Sequence, residues 1–386
     1  MHDFTIPIGP QNPSLKEPTC LRIDLKGNYI QSARIRLGYI HRGLERLLEG
    51  KDILKALYII QRICGICPAT HAISYTRAIE SALKIRLEED VVYLRMLEAE
   101  LERIASHLLW AGYMSHEIGY DMLFMFFWRE RERVLEIFEK VMGGRIHRNN
   151  FKIGSVRYGL EKGDKRFILE RLDVIKKNIQ NYLSTYRSDR VIKSRLKGVG
   201  VITKEDARRL CVVGPVARAS GINNDVRRTD PYLAYDDVEF EIPLEDDGDA
   251  LARAIVRLRE ILESIKIISQ IIECVKEDAK LPEFKPEPFD AETSARSEAP
   301  RGENFHFLKI KNGVIERVKV RTPTFANIVA LEHMLKGAEI GDTPVVVESL
   351  DPCFACMERV LIANRTKVEC LTKEQFMAKY VRRGYD

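Results

Sequence analysis

The sequence has 386 residues, of which 45% are hydrophobic and 31% are charged; this is the balance of a globular protein and excludes a disordered chain. A net charge of +5, from 62 basic and 57 acidic residues, argues against a nucleic-acid partner. No apolar run approaches the ~20 residues that span a bilayer, and no signal peptide is visible, so no transmembrane segment is predicted. The frequent lysine, glutamate, arginine and isoleucine are compatible with a thermophile.

The first part of the chain, residues 1–50, is predicted to form a small β lobe. Thr19 to Leu25 alternates between apolar and polar side chains, as a half-buried strand does. Lys26-Gly27-Asn28 predicts a turn before a second extended run. A short N-terminal sheet is therefore expected.

Residues 51–300 are predicted to form the core, a bundle of helices. Apolar side chains recur every three or four positions from Asp90 to Met114 and again from about 249 to 277, and Asp164 to Thr185 is also predicted to be helical. Glycine-punctuated residues 214–230 are predicted to form a loop. Proline-rich residues 282–301 are predicted to form an extended crossing segment.

The last part of the chain, residues 301–386, is predicted to add a hairpin, a helix and a final strand. His306 to Ile310 and Val314 to Val320 flank Lys311-Asn312-Gly313, a strong signal for a β hairpin. A helix is expected next, followed by a strand at Pro344 to Val347. The predicted fold class is thus mainly α with small β elements (α+β): one integrated domain with a central helical bundle, an N-terminal β-sheet lobe and a C-terminal β hairpin.

Two short segments carry the residues with distinctive chemistry. Cys64-Gly65-Ile66-Cys67 and Cys353-Phe354-Ala355-Cys356 each have the spacing that lets two thiolates face one ion from a single turn. Together they offer four sulfur ligands, a set that suits zinc, an iron–sulfur cluster, or nickel and iron. Cys64 and Cys353 are 289 positions apart, so a shared site requires the fold to bring both ends of the chain together.

Spacing alone leaves several interpretations open. A structural zinc site is one, although zinc modules usually keep their ligand pairs within tens of residues because the metal organises a small local fold. A redox dithiol is another, although neither pair has a thioredoxin-like βαβ setting. The other cysteines are isolated in sequence and are expected to be small buried residues; they are Cys20, Cys211, Cys274 and Cys370.

The residues around the two cysteine pairs resemble the metal-binding signatures of nickel–iron hydrogenase large subunits. The first reads Arg62-x-Cys64-Gly65-x-Cys67-x-x-x-His71, and the second reads Asp351-Pro352-Cys353-x-x-Cys356-x-x-Arg359. Nearly the whole chain resembles the large subunits of the membrane-bound, energy-converting (group 4) hydrogenases. Gly9 to Pro18 looks like the opening motif of that group. Four further segments are also similar to the quinone-site 49 kDa subunit of respiratory complex I, which lacks the cysteine signatures. These segments are His41-Arg42-Gly43-Leu44-Glu45, Glu102 to His107, Gly214 to Gly221 and Glu298 to Glu303.

The resemblance implies a nickel–iron centre and a fold like that of the hydrogenase large subunit. Cys64 and Cys353 would be terminal nickel ligands, and Cys67 and Cys356 would bridge nickel and iron. The iron would carry carbon monoxide and cyanide.

The resemblance also implies roles for residues around the metals. Arg301 would lie over the metals and bond one cyanide, and Thr324 would hold the other. Glu17 would relay protons, with Cys353 as the donor sulfur. The remaining residues implied to balance or orient the thiolates are Arg62, His71, Asp351 and Arg359.

The resemblance also implies partner subunits. This chain has no third cysteine cluster, so a small iron–sulfur subunit like that of complex I would carry the iron–sulfur clusters and dock near His41, Arg42 and Glu45. Other hydrophilic subunits and antiporter-like membrane subunits would complete the complex. The chain would be peripheral, on the cytoplasmic side of the cell membrane.

Three departures from the family pattern motivate an alternative function. Gln61 stands where glutamate is usual, Asn12 stands where histidine is usual, and Pro68-Ala69-Thr70 is unusual between Cys67 and His71. The leading hypothesis is reduction of protons to hydrogen, or its reverse, coupled to ion translocation. The alternative is a sister complex that reduces sulfur or polysulfide, in which the hydrogenase site is absent or silent and this chain is a scaffold. A third hypothesis is a zinc-stapled assembly subunit.

Overall fold

Long helices form the centre of the molecule in the computed structural model, which describes residues 3–357, 359, 363–364 and 367–368. The helices are α1 (Leu44–Leu48), α2 (Ile53–Ile60), α3 (Pro68–Ala82), α4 (Glu89–Glu117), α5 (Asp121–Met142), α6 (Asp164–Ser188), α7 (Arg190–Leu196), α8 (Lys204–Arg209), α9 (Pro215–Arg218), α10 (Val226–Thr229), α11 (Ala250–Cys274), α12 (Pro323–Leu335) and α13 (Thr343–Leu350). Short 3₁₀ turns occur at Ile340–Asp342 and Phe354–Cys356.

The helix α4 is the axis of the bundle. It packs against α5, α11 and α13, while α6 packs against both α11 and α5. Because α4 is surrounded, charged side chains on it are buried together with the apolar ones, including Glu100, Glu102 and Arg103. In the part of the chain that the structure describes, no helix has both the length and the apolar character needed to cross a bilayer.

Antiparallel sheets lie near both ends of the chain. The strands are β1 (Asp3–Ile8), β2 (Cys20–Lys26), β3 (Tyr29–Arg36), β4 (Phe151–Lys152), β5 (Ser155–Val156), β6 (Ala291–Ala299), β7 (Gly302–Lys311), β8 (Val314–Arg321), β9 (Ala363–Asn364) and β10 (Lys367–Val368). The orders of the two larger sheets are β1-β2-β3 and β6-β7-β8.

Contacts between distant parts of the chain bring both ends to the same region. The helix α3 packs on β6 and β7, α1 packs on β8, and α12 packs on β3. Bridges between Asp52 and Val314 and between Tyr29 and Glu339 pair the backbone of the N-terminal part with that of the C-terminal part. The segments that carry the two cysteine pairs therefore converge.

The predicted fold class, mainly α with small β elements, is confirmed, and the N-terminal strands, the long helices and the C-terminal hairpin lie where they are expected. Residues 282–301 extend the hairpin, because their second half is strand β6. The predicted loop at 214–230 contains the short helices α9 and α10.

The predicted strand at Pro344 to Val347 is wrong, because these residues belong to α13. Pro344 occupies the first turn of this helix, where its fixed φ is favourable and its missing N–H costs nothing. The valines are buried, and packing of the helix outweighs their preference for strands.

The expectation that the isolated cysteines are buried is also wrong for two of them. Cys211 and Cys274 are exposed, and Cys20 is partly buried. Cys370 lies outside the described residues.

Candidate metal and catalytic site

Four cysteine side chains from opposite ends of the chain lie together in the interior. Cys64 follows α2 and Cys67 begins α3, forming the first cysteine turn (residues 64–67); the second cysteine turn (residues 353–356) follows α13. All four side chains are buried, and the Sγ atoms of Cys64 and Cys353 are 3.6 Å apart. Two sulfurs that share one tetrahedral ion at ~2.3 Å lie about 3.8 Å apart, so this separation suits a shared metal.

The four cysteines differ in how readily each loses its proton, because they lie close together and are buried. Hydrogen bonds from the other three cysteines, first from Cys353, hold the pKa of Cys64 well below its usual value. The pKa of Cys67 is raised, first by its hydrogen bond to Cys64 and then by burial, and the pKa of Cys353 is raised, first by its hydrogen bond with Cys356. The cluster thus favours one thiolate among thiols, since four buried negative charges would repel one another without cations.

The four cysteine sulfurs are suitable ligands for a metal that binds thiolates. They are of the right chemical type, they are buried, and two of them lie at the right separation. Within the described ranges, however, no group of three or more histidine, cysteine or carboxylate side chains is already arranged to bind a metal ion. Metal binding would therefore require the remaining thiols to lose their protons and the sulfurs to adjust.

The guanidinium of Arg42 holds the two cysteine turns together. Its Nη1 donates to the carbonyl oxygen of Arg62 (3.0 Å), and its Nη2 donates to the carbonyl oxygens of Ile63 (2.5 Å) and Ala355 (2.8 Å). One side chain therefore bonds the backbone just before Cys64 and the backbone between Cys353 and Cys356. The sequence predicts that Arg42 faces a partner subunit, and it does not predict this contact with both cysteine turns.

Two further side chains fix the second cysteine turn. Thr324 Oγ1, at the start of α12, accepts a hydrogen bond from the backbone N–H of Cys353 (3.0 Å). Glu17 Oε2 accepts from the N–H of Ala355 (2.9 Å), and its Oε1 lies 3.9 Å from Cys353 Sγ. Burial raises the pKa of Glu17, although the bond from Ala355 lowers it. A carboxyl of this kind can receive a proton from the adjacent sulfur and release it.

Arg301 supplies a fixed positive charge beside the cysteines. Its Nε donates to the carbonyl oxygen of Asp351 (2.8 Å), its Nη2 donates to Asp351 Oδ1 (2.6 Å), and its Nη1 donates to Ser106 Oγ (2.9 Å). Burial opposes the charged form, but Asp351 and then the sulfur of Cys353 outweigh it and raise the pKa of Arg301. The guanidinium therefore remains charged at any physiological pH.

The position of Arg301 depends on a close approach between two glycines. Gly302 has φ +125°, and a Cβ there would lie 2.7 Å from the Val213 side chain. A Cβ on Gly214, with φ +68°, would lie 2.3 Å from the carbonyl oxygen of Arg301. Only glycine fits at either position, so the turn between β6 and β7 is held against residues 213–214.

The carboxylate of Glu102 caps the helix that follows the first cysteine turn. Its oxygens accept hydrogen bonds from the N–H groups of Ala69 (2.8 Å) and Thr70 (3.1 Å), and Arg148 pairs with it at 2.8 Å. Burial raises the pKa of Glu102 to about 7, against the opposing effect of Arg148. The N-terminus of α3 would otherwise leave these N–H groups without acceptors.

His71 is buried in α3, one turn after Cys67. Its Nδ1 is 3.0 Å from His306 Nε2, and burial lowers the pKa of His71 to about 4, so the ring is neutral. Asp351 has a pKa held below its usual value because Arg301 and Lys16 outweigh its burial. The ammonium of Lys16 is 3.7 Å from Asp351 and also pairs with Glu348.

The other predicted site residues point elsewhere. Arg62 is exposed and bonds the carbonyl oxygen of Tyr58 and the side chain of Asn149. The guanidinium of Arg359 is 3.5 Å from Glu45 and lies over the ring of Phe325.

The strip predicted to face a partner is partly engaged within the chain. Glu45 accepts from Lys319 Nζ (2.8 Å) and from the N–H of Val320 (3.1 Å), and so attaches α1 to β8. His41 is exposed. Of the departures from the family pattern, Gln61 is buried and bonds the carbonyl oxygen of Leu57, while Asn12 bonds Ser14.

The chain matches two family models and several characterised proteins. The model described as respiratory-chain NADH dehydrogenase, 49 kDa subunit, matches residues 117–288 and 280–359, and the model described as nickel-dependent hydrogenase matches residues 42–118. The carbon monoxide-induced hydrogenase of Rhodospirillum rubrum is 36% identical over 93% of this chain and 100% of that protein. The membrane-bound hydrogenase subunit alpha of Pyrococcus furiosus is 33% identical over 96% of this chain and 91% of that protein.

One further relative and one solved structure also match most of this chain. One of the subunits of the F420H2 dehydrogenase of Methanosarcina mazei is 34% identical over 93% of this chain and 98% of that protein. A chain of the membrane-bound sulfane sulfur reductase, an archaeal respiratory membrane complex, superposes with a TM-score of 0.86 at 28% identity, covering 92% of this chain and 98% of that chain.

Proposed function

We propose that this chain is the catalytic subunit of a nickel–iron hydrogenase. The proposal starts from the family: the chain belongs to the family of the 49 kDa subunit of respiratory-chain NADH dehydrogenase and its hydrogenase relatives. It is thus the large subunit of a complex I-related membrane-bound oxidoreductase. The reaction proposed is reduction of protons to hydrogen, or its reverse, coupled to ion translocation.

One observation carries this proposal: four buried thiols from opposite ends of the chain meet, with Cys64 and Cys353 sulfurs 3.6 Å apart. Thiolates are the ligands that suit nickel and iron, and this chain has them where a scaffold subunit would need none. Arg301 and Glu17 lie beside the same sulfurs, and these are the charge and the proton carrier that hydrogen chemistry needs.

The residues of the chain would act as follows. The four cysteines would hold nickel and iron, and the metal pair would supply the two-electron chemistry of hydrogen. Glu17 Oε1 lies 3.9 Å from the Cys353 sulfur, so the carboxylate would accept a proton released at that sulfur. The N–H of Ala355 keeps the Glu17 carboxyl in place. Arg301 balances the negative charge of the thiolates, and its bonds to Asp351 and Ser106 prevent it from turning away.

Electrons would pass to partner subunits. A small iron–sulfur subunit, like that of complex I, would carry the clusters, and further hydrophilic and antiporter-like membrane subunits would couple the reaction to ion movement. In this proposal the chain is a peripheral subunit on the cytoplasmic side of the membrane, and the exposed His41 contributes to the docking face.

Reduction of sulfur or polysulfide is the second candidate. The high structural similarity to a chain of the sulfane sulfur reductase favours it, as do the neutral residues Gln61 and Asn12, which stand where the hydrogenase pattern usually has glutamate and histidine. In that case the metal site would be silent, and the iron–sulfur partner would carry the reaction.

The experiment that separates the two is metal analysis of the complete complex, purified through a tag on a partner subunit. A hydrogenase is expected to contain one nickel per chain, to show infrared bands of bound carbon monoxide and cyanide, and to lose both in Cys353→Ser. Cys211→Ser, at an exposed cysteine, is the matched control and should lose neither. A mature complex that reduces polysulfide but has no nickel and no such bands would refute the hydrogenase proposal, and one zinc per chain would identify a structural staple.

A further inference from the structure

The turn that carries Arg301, residues 299–302, is attached to helix α4 by a second arginine. Arg103 Nη2 donates to the carbonyl oxygen of Glu298 (2.7 Å), and its Nη1 donates to that of Ala299 (3.2 Å). These carbonyls belong to the last two residues of β6, and Arg301 follows them in the turn to β7. Ser106, on the same face of α4 as Arg103, accepts from the guanidinium of Arg301. The helix therefore bonds both the backbone of this turn and the end of its side chain.

Arg103 is itself held in place by a charge network inside the bundle. It is buried, and its Nε donates to Glu100 Oε2 (3.3 Å), three positions earlier on α4. Glu100 also accepts from Tyr235 Oη and from Ser264 Oγ, each at 2.6 Å, and it pairs with Arg227 at 3.1 Å. Burial opposes ionisation of Glu100, but Arg103 and Arg227 outweigh it and lower the pKa of Glu100. The guanidinium of Arg103 cannot turn away without leaving a buried carboxylate short of a donor.

A different part of the chain holds the turn from residues 213–232. The carboxylate of Glu298 accepts from Arg218 Nη1 (2.8 Å) and from the N–H of Val226 (3.1 Å). The backbone N–H of Glu298 donates to Tyr232 Oη (3.1 Å). These contacts attach the turn to the loop and short helices of residues 213–232, whereas the bonds from Arg103 attach its backbone to α4. Loss of the Arg103 bonds would therefore let the turn move away from α4 while the other attachments remain.

We propose that Arg103 is a positioning residue for Arg301: it fixes the distance between the turn and α4, and so keeps the Arg301 guanidinium beside the cysteine sulfurs. A misplacement of ~1 Å at a reacting centre can lower a rate about 10²-fold. Lysine at position 103 would keep the positive charge beside Glu100, but its single ammonium cannot follow the fork that reaches two carbonyl oxygens. The effect on hydrogen turnover rests on the proposed function, whereas the effect on the position of Arg301 does not.

Cryo-electron microscopy and kinetics of the intact complex test this role. Arg103→Lys and Arg103→Gln are compared with Tyr235→Phe, the matched control, which removes a buried hydrogen bond to the Glu100 carboxylate and leaves the donors to the turn in place. Nickel content and hydrogen turnover are measured on the same samples. Absence of nickel from the unmodified complex would refute the proposed function alone, because the position of Arg301 would still decide the role of Arg103.

In both Arg103 variants the 2.9 Å contact between Arg301 Nη1 and Ser106 Oγ should lengthen beyond a hydrogen bond. The kcat for hydrogen should fall about 10²-fold, while the KM for hydrogen and the nickel content stay unchanged. Tyr235→Phe should change neither the contact nor the kcat. An unmoved Arg301 in both Arg103 variants would overturn the proposal. So would failure of both variants to assemble when Tyr235→Phe assembles, because Arg103 would then serve the fold and not the position of Arg301.

Discussion

Removal of the Arg42 guanidinium should let the two cysteine turns separate. Arg42 makes two hydrogen bonds to the backbone before Cys64 and one, at 2.8 Å, to Ala355 in the second turn. The bond to Ala355 is the described contact by which this residue joins the second turn to the first. The side chain is exposed, so this bond contributes about 1 kcal/mol, the value of an ordinary hydrogen bond and not that of a buried charged one.

A loss of about 1 kcal/mol raises the population with separated turns about fivefold. Alkylation of Cys64 and Cys353 by a small reagent, followed by mass spectrometry, measures that population, because both thiols are buried when the turns are together. Arg42→Gln should therefore react about fivefold faster. Arg42→Lys should resemble it, because one ammonium cannot reproduce the forked contact with both turns.

Arg46→Gln is the matched control. Arg46 is exposed on the next helix and pairs with Glu49, away from the cysteine turns. If Arg42→Gln and Arg46→Gln react at the same rate as the unmodified protein, the guanidinium does not hold the turns and the reasoning is wrong.

Three further predictions concern the site and the bundle. Glu17→Gln should lower hydrogen turnover by about 10²-fold or more because the carboxyl can no longer carry a proton, while nickel content stays unchanged; equal turnover would exclude the relay. Thr324→Val should lower the free energy of unfolding by about 1 kcal/mol through loss of the bond from Cys353, and Thr324→Ser should restore it; urea denaturation measures both, and equal losses would contradict the bond. Burial lowers the pKa of His107 to about 4. Between about pH 6.5 and pH 4 the unfolded chain therefore binds a proton at this residue and the folded chain does not. The free energy of unfolding consequently falls as the pH falls. His107→Gln should therefore reduce the pH slope of that free energy by at most about 1.4 kcal/mol per pH unit, and an unchanged slope would show that His107 is already protonated when folded.

The sequence predicts the long helices and the sheets because each carries its own periodic pattern. It also identifies the cysteines, Glu17 and Arg301, because these residues stand in recognisable motifs. It does not predict α13, because valine-rich residues have the same pattern in a buried helix as in a strand, and only packing decides between them.

The contacts of individual charged side chains are beyond sequence reasoning for a different reason. Arg42 reaches Ala355 across 313 positions, and Glu102 caps a helix that begins 34 positions earlier at Pro68. Arg62 is the first residue of the first signature, yet its guanidinium turns outward to Asn149. A motif states which residue is present, whereas the direction of a long side chain depends on acceptors that folding brings from elsewhere.

The contact between Cys64 and Cys353 has a consequence for the synthesis of the protein. A ribosome adds about 5–20 residues per second, so the second cysteine pair emerges on the order of 15–60 s after the first. Throughout that interval the first pair has no sulfur partners and can react with oxidants or stray ions. Reducing conditions during synthesis would therefore keep Cys64 and Cys67 available until translation has passed residue 356.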